Sequence, residues 1–168
     1  ETAVAWQQAI NRHHGPTALL LSRQTLPALN HNKESSSHIH RGGYILLDSE
    51  KEPELIIMAT GSEVQLALAA AKAHPKSAIR VVSMPCCEQF LAQDKSYQQK
   101  VLPENVRKRI AIEACASAWW YQFVGLDGKV IGLDRFGVSA KAKDAFDYLG
   151  FSQSTINEQV SSLLKQTD

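Results

Sequence analysis

Short, continuous apolar runs alternate along this chain with stretches whose apolar residues recur every three or four positions. The runs are Thr17–Leu21, Tyr44–Leu47, Leu55–Ala59, Ile79–Met84, Arg109–Glu113 and Val130–Leu133. Their lengths and composition fit strands buried on both faces. Helical spacing fills the intervals. Residues 1–14 put Trp6, Ala9, Ile10 and His13 on one face, and Gly15-Pro16 stops that helix. Ser62 with Gln65 has the spacing of a capping box, opening a helix with Val64, Ala67, Leu68 and Ala71 inward that ends by Pro75. A more polar helical stretch runs from Glu88 to the region of Lys100. Ser139 is placed to cap a helix burying Ala142, Ala145, Phe146 and Leu149, with Gly150 at its end. Thr155 and Glu158 form a second capping box, for a helix burying Ile156, Val160, Leu163 and Leu164.

Strands alternating with helices of this length predict an α/β fold of three layers, α/β/α, around a mostly parallel five-stranded sheet. The short turn from Asp48 to Pro53 admits an antiparallel pairing of the first sheet strand, Tyr44–Leu47, with the next, Leu55–Ala59. From Leu26 to Gly43 the periodicity collapses, and Asn30 to His38 is polar and turn-prone, which reads as a linker. The expected organisation is a first unit at 1–25, a linker at 26–43 and the main domain at 44–168. Cut from further strands, the 17–21 run cannot bury both faces, so a well-packed position is not expected for residues 1–25.

Charge and composition narrow the function. Eighteen basic side chains stand against seventeen acidic ones, so no general attraction to nucleic acid or to a membrane surface is expected. No apolar run approaches the roughly 20 residues that span a bilayer. The chain opens Glu1-Thr2-Ala3 with no signal-peptide pattern and no initiator Met, from which an origin inside a longer polypeptide is expected. Cys86, Cys87 and Cys115 are few and odd in number. They read as reduced thiols, in keeping with a cytoplasmic protein.

Candidate chemistry is sparse. Arg23 follows an apolar strand, where a guanidinium could grip a phosphate bidentately; a surface arginine is the plain alternative. Thr60-Gly61-Ser62 stands at a strand-to-helix junction, yet Glu63 in that first turn would repel an anion, so simple capping is favoured. His38 and His40, alternate on an extended segment near His31, could share a metal, but no carboxylate is spaced to orient them. Glu113 ends an apolar strand, where a carboxylate needs a partner, and reads as a structural or interface acid. Trp119-Trp120-Tyr121 with Phe123 reads as core or subunit contact before ligand box. There is no GxGxxG, Walker A or GxSxG, and no Gly-Asp-Gly segment that would hold a diphosphate through Mg²⁺.

Several fragments, in order, resemble transketolase. Gly15-Pro16-Thr17 with Leu21-Ser22-Arg23-Gln24 is similar to the close of its pyrimidine-binding domain. Arg41-Gly42-Gly43-Tyr44, Ala59 to Val64, Val81 to Pro85, Val101-Leu102-Pro103, Tyr121 to Gly128, and Phe136-Gly137 with Ser139-Ala140 resemble its C-terminal domain. Lys141 stands where the family commonly has proline, which weakens helix pre-organisation there. The resemblance implies a homodimeric transferase of the pentose phosphate pathway. Such an enzyme moves a two-carbon ketol unit between sugar phosphates with thiamine diphosphate and Mg²⁺ or Ca²⁺. It assigns Arg23 a substrate-phosphate contact and no catalytic, cofactor or metal residue to this chain; those lie in upstream polypeptide, and this piece alone is expected to be inactive. The competing readings are a free-standing anion- or nucleotide-binding module at Thr60–Ser62, a C-terminal domain of a 2-oxoacid dehydrogenase E1 subunit, and an interaction domain using the Trp119–Phe123 patch.

Overall fold

The computed structural model describes residues 1–29 and 31–166. Asn30 and residues 167–168, assigned above to the linker and the main domain, lie outside the described residues. Five strands form one sheet in the order β1-β3-β2-β4-β5: β1 Tyr44–Leu47, β2 Leu55–Ala59, β3 Ile79–Ser83, β4 Arg109–Ile112 and β5 Lys129–Ile131. β2, β3, β4 and β5 run parallel, and β1 is antiparallel. The expected three-layer α/β/α architecture is the one observed.

β2 lies at the centre, and all five of its residues are buried. Its pleat sends Leu55, Ile57 and Ala59 to one face and Ile56 and Met58 to the other. On the first face lie α3 (Val64–Ala73) and α8 (Gln153–Leu164), which contribute Val64, Ala67, Ala70, Ile156, Val160 and Leu163. On the second lie α4 (Cys87–Leu91), α5 (Lys95–Val101) and α6 (Tyr121–Val124), which bring Phe90, Tyr97, Val101, Phe123 and Val124. α7 (Ala142–Leu149) ends at Gly150, in the left-handed region at φ 92°, as the sequence predicts.

The antiparallel strand is the expected one, but its partner differs. β1 pairs with β3, Tyr44 facing Ser83, and not with β2. The Arg80 guanidinium on β3 grips Asp48, just past β1, through two bonds of 2.9 Å, which fixes β1 on that outer edge. The entry to β1 needs two glycines. A Cβ on Gly42 would run into the Cys86 carbonyl, and one on Gly43 would stand 2.6 Å from Met84 Sδ.

Other expectations are corrected at the helix ends. The polar stretch from Glu88 is two helices, α4 and α5, because Asp94 accepts from Tyr97 N and starts a new one. α8 is capped by Ser152, which accepts from Thr155 N, so Thr155 is inside the helix and its box with Glu158 does not form. Lys141, not Ser139, precedes α7, with no side-chain cap. Part of the 26–43 linker is helical: α2 spans Lys33–His38, because Asn32 Oδ1 accepts from Ser35 N at 2.7 Å, and a 3₁₀ turn follows at Ile39–Arg41. The first helix, α1, covers Thr2–Asn11 and buries no residue. The Thr17–Leu21 run joins no strand pair, and Leu20 and Leu21 are exposed.

Ile156 sits fully buried between α8, α3 and the sheet. Ile156→Ala is expected to cost about 2–5 kcal/mol in urea unfolding, through lost burial and the cavity left behind. Leu126→Ala, at a fully exposed position, is expected to stay within about 0.5 kcal/mol.

Candidate functional site

The four parallel strands end on one edge, at Ala59, Ser83, Ile112 and Ile131, and antiparallel β1 begins there at Tyr44. Open α/β sheets receive their ligands at this edge. Here the N-terminal segment crosses it. Tyr44 Oη donates to Glu1 Oε1 at 2.6 Å, and Ser83 Oγ donates to the same oxygen at 2.5 Å. Both donors are fully buried. His31 Nε2 lies 2.8 Å from Tyr44 Oη, and its Nδ1 lies 3.1 Å from the Leu29 carbonyl. Burial, and then the Glu1 carboxylate, push the Tyr44 phenol well above its ordinary value. Farther along α1, Gln8 Nε2 donates to the His40 carbonyl at 2.6 Å.

The same segment returns to the edge at Ser22. Its Oγ lies 3.5 Å from where a Cβ on Gly61 would stand. The chain then bends at Arg23-Gln24, and Arg23 is exposed. Among the described residues no hydrogen bond or ion pair engages its guanidinium.

Each acidic group along the rest of the edge is matched with a donor of its own. Gly61–Glu63 forms a 3₁₀ turn into α3, and Ser62 Oγ donates to Glu63 Oε1 at 3.1 Å. Ser62 therefore caps no helix N–H, and the capping box expected with Gln65 is absent. Glu63 is buried, and burial raises its carboxyl, with Glu113 adding to the rise. Glu113 follows β4 and accepts from Trp120 Nε1 at 2.5 Å, which fits the structural reading of that acid. Asp134 accepts from the Ser117 backbone and hydroxyl at 2.8 and 2.6 Å, and these bonds hold it below the usual carboxylate range.

The remaining candidates separate. His38 ends α2 and His40 sits in the 3₁₀ turn, so the extended geometry that would align them is not present. Among the described residues no three His, Cys, Asp or Glu converge as metal ligands. The aromatic cluster splits: Trp120 and Phe123 are core, while Trp119 and Tyr121 are exposed. All three cysteines are free thiols. A cavity of about 150 Å³ between α2, β1 and α5 is lined by Asn32, Ser35, His38, Tyr97 and Lys100; it touches neither Arg23 nor the edge carboxylates. Sequence reasoning missed the roles of Glu1, Tyr44 and Ser83, and no local pattern joins residues so far apart.

These features define a class: a parallel α/β scaffold domain with one antiparallel edge strand and an exposed guanidinium on the segment laid across its edge. Residues 42–152 match the family model described as the transketolase-like TK C-terminal domain. The chain belongs to the transketolase family. It is 47% identical over 166 residues to transketolase 2 of Aliivibrio fischeri, covering 98% of this chain and 25% of that protein. It is 43% identical to transketolase 2 of Escherichia coli, with the same coverage. The chain thus spans about a quarter of the length of these relatives. Among solved structures, transketolase from Leishmania mexicana superposes with a TM-score of 0.88 at 37% identity, over 98% of this chain and 24% of that one. Transketolase from Pichia stipitis in complex with sedoheptulose 7-phosphate gives 0.85 at 33% identity, over 97% and 23%. The family implies thiamine diphosphate and a divalent cation, but the donors here do not fit them. The edge carboxylates already hold donors of their own, and no cation cluster forms among the described residues.

Two outcomes are expected at this edge. Burial pushes the Cys87 thiol up to about 12, against a hydrogen bond from Trp119. At pH 7.5 a thiol reagent should therefore label exposed Cys86 and Cys115 and reach Cys87 only on unfolding, as read by mass spectrometry. Because Glu63 is raised in the folded state, its contribution to stability is fully present below the ordinary carboxyl range and is lost as pH rises through the raised value. Glu63→Gln should therefore raise the melting temperature at pH 7, and that gain should shrink towards pH 4.

Proposed function

We propose that this chain serves as the C-terminal part of a transketolase, an enzyme that passes a two-carbon ketol unit between sugar phosphates. In this reading residues 1–25 close the pyrimidine-binding domain, 26–43 link, and 44–168 form the C-terminal domain. Thiamine diphosphate and Mg²⁺ or Ca²⁺ are held by the rest of a cytoplasmic homodimer. Arg23 grips the phosphate of the sugar. Its exposed, unengaged guanidinium at the C-terminal edge of the sheet is the observation that carries the reading. The bound sedoheptulose 7-phosphate in the similar Pichia stipitis enzyme supports the substrate class. A guanidinium offers two parallel N–H donors to phosphate oxygens and keeps its charge at every working pH. Its task is to bind and orient the sugar; proton transfers and bond-making fall to residues elsewhere.

The rival anion module at Thr60–Ser62 is disfavoured by two groups. Glu63 puts a buried acid in the first turn, and Ser22 lies against Gly61. The isolated 168-residue chain, given xylulose 5-phosphate, an aldose phosphate, thiamine diphosphate and Mg²⁺, should show no ketol transfer above buffer. In the full-length enzyme, Arg23→Ala should raise KM for phosphorylated sugars about 10–100-fold, the worth of one charge-assisted contact. KM for glycolaldehyde, which has no phosphate, should not move. An equal rise for both would overturn the role of Arg23.

A further inference from the structure

We propose that the cavity between α2, β1 and α5 is a binding site for a small oxyanion of the size of inorganic phosphate, held by His38 on α2 and Lys100 on α5. Every residue that lines it lies between Asn32 and Val101, away from Arg23. The site therefore stands independently of the sugar-phosphate contact.

The cavity holds about 150 Å³, a volume that in other proteins accepts a molecule as large as benzene and so has room for a phosphate. Most polar groups on its wall are committed to one another. Arg80 grips Asp48, Ser35 Oγ donates to the Asn32 carbonyl, and Tyr97 Oη donates to the Gly43 carbonyl at 2.8 Å. Two nitrogens beside it are not. Among the described residues, His38 Nδ1 and Arg41 Nε are buried without a hydrogen-bond partner. Both side chains stand against the same fixed ring: the His38 imidazole is centred 5.6 Å from that of Tyr97, and the Arg41 guanidinium carbon lies 4.3 Å from it. A buried donor left unpaired is costly, so this wall calls for an acceptor. Lys100 Nζ donates to Glu34 at 3.2 Å, and an ammonium has further N–H groups to give. Charge decides the sign of the ligand. Burial first, and then Arg41 and Lys100, hold His38 below its ordinary value, with Glu34 a smaller opposing influence. The imidazole is therefore neutral at pH 7 and can donate from Nδ1, and the surrounding positive field draws an anion and repels a cation.

The test uses the full-length enzyme carrying this segment, with Arg23→Ala as the background so that the sugar site contributes least to the phosphate signal. Crystals are soaked with selenate, a tetrahedral anion located by the anomalous scattering of its selenium. Phosphate affinity is measured by calorimetry at constant ionic strength, with acetate and chloride alongside. The expected result is a selenium peak inside the cavity, within hydrogen-bond distance of His38 Nδ1 and Lys100 Nζ, that phosphate displaces. Lys100→Gln changes a largely exposed side chain and should leave the fold intact. It and His38→Phe should each weaken phosphate binding about tenfold, the worth of one charge-assisted contact. Displacement of selenate by acetate as well extends the site to short carboxylates; displacement by phosphate alone confines it to tetrahedral anions. A cavity filled by water, or by a side chain from the rest of the enzyme, with selenate found only elsewhere, overturns the proposal. So does phosphate binding that neither variant weakens.

Discussion

Both faces of β2 are apolar along its whole length, and that constraint organises everything around it. A strand buried on two sides needs a helical layer on each, and two hydrogen-bonded neighbours to satisfy its backbone. β3 and β4 supply the pairing, α3 and α8 cover one face, and α4, α5 and α6 cover the other. With the interior closed to polar groups, the polar side chains that bear on function collect where the strands end. The C-terminal edge carries Glu63, Ser83, Glu113 and Asp134 for that reason.

That edge is acidic but internally satisfied. Trp120, Ser62, Ser117, and the Tyr44–Ser83 pair each donate to a carboxylate, so little donor capacity remains for an external anion. A free phosphate approaching it would meet negative charge in a partly desolvated setting, where repulsion is weakly screened. In the proposed role of Arg23, positive charge comes to this edge on the segment of residues 1–25. That segment also commits its own carboxylate, Glu1, to the domain. One polar exchange joins the two parts: the segment gives an acceptor to buried hydroxyls and leaves a guanidinium outward.

Much of the fold was legible because strand runs and helical spacing are local properties. The five sheet strands and Gly150 as a helix stop all stood in the sequence. Both capping boxes failed, and for a common reason. A Ser or Thr three residues before Gln or Glu caps only if the backbone enters the helix at that residue. Here Gly61–Glu63 winds into a 3₁₀ turn, and Ser152 takes the cap that Thr155 was assigned. The 26–43 stretch read as linker because its residues are polar, yet a single Asn32 cap suffices to start α2. Arg23 was legible as a candidate from its place after an apolar run. The Glu1–Tyr44–Ser83 contact was not, since it joins residues 43 and 82 positions apart through tertiary packing alone.

The two ends of the chain differ in how much this domain's core holds them. α8 contributes Ile156, Val160 and Leu163 to the core and would stay docked without any single hydrogen bond. α1 contributes nothing to either core cluster, and Trp6, Ile10, Leu20 and Leu21 leave apolar surface open around it. Its contacts within this chain are directional, and in the proposed reading the remainder of its own domain covers its apolar side. Hydrogen bonds suit such a seat, because unlike apolar contact they specify orientation. A carboxylate shared by two buried hydroxyls adds to that seat an orientation that apolar contact alone does not specify.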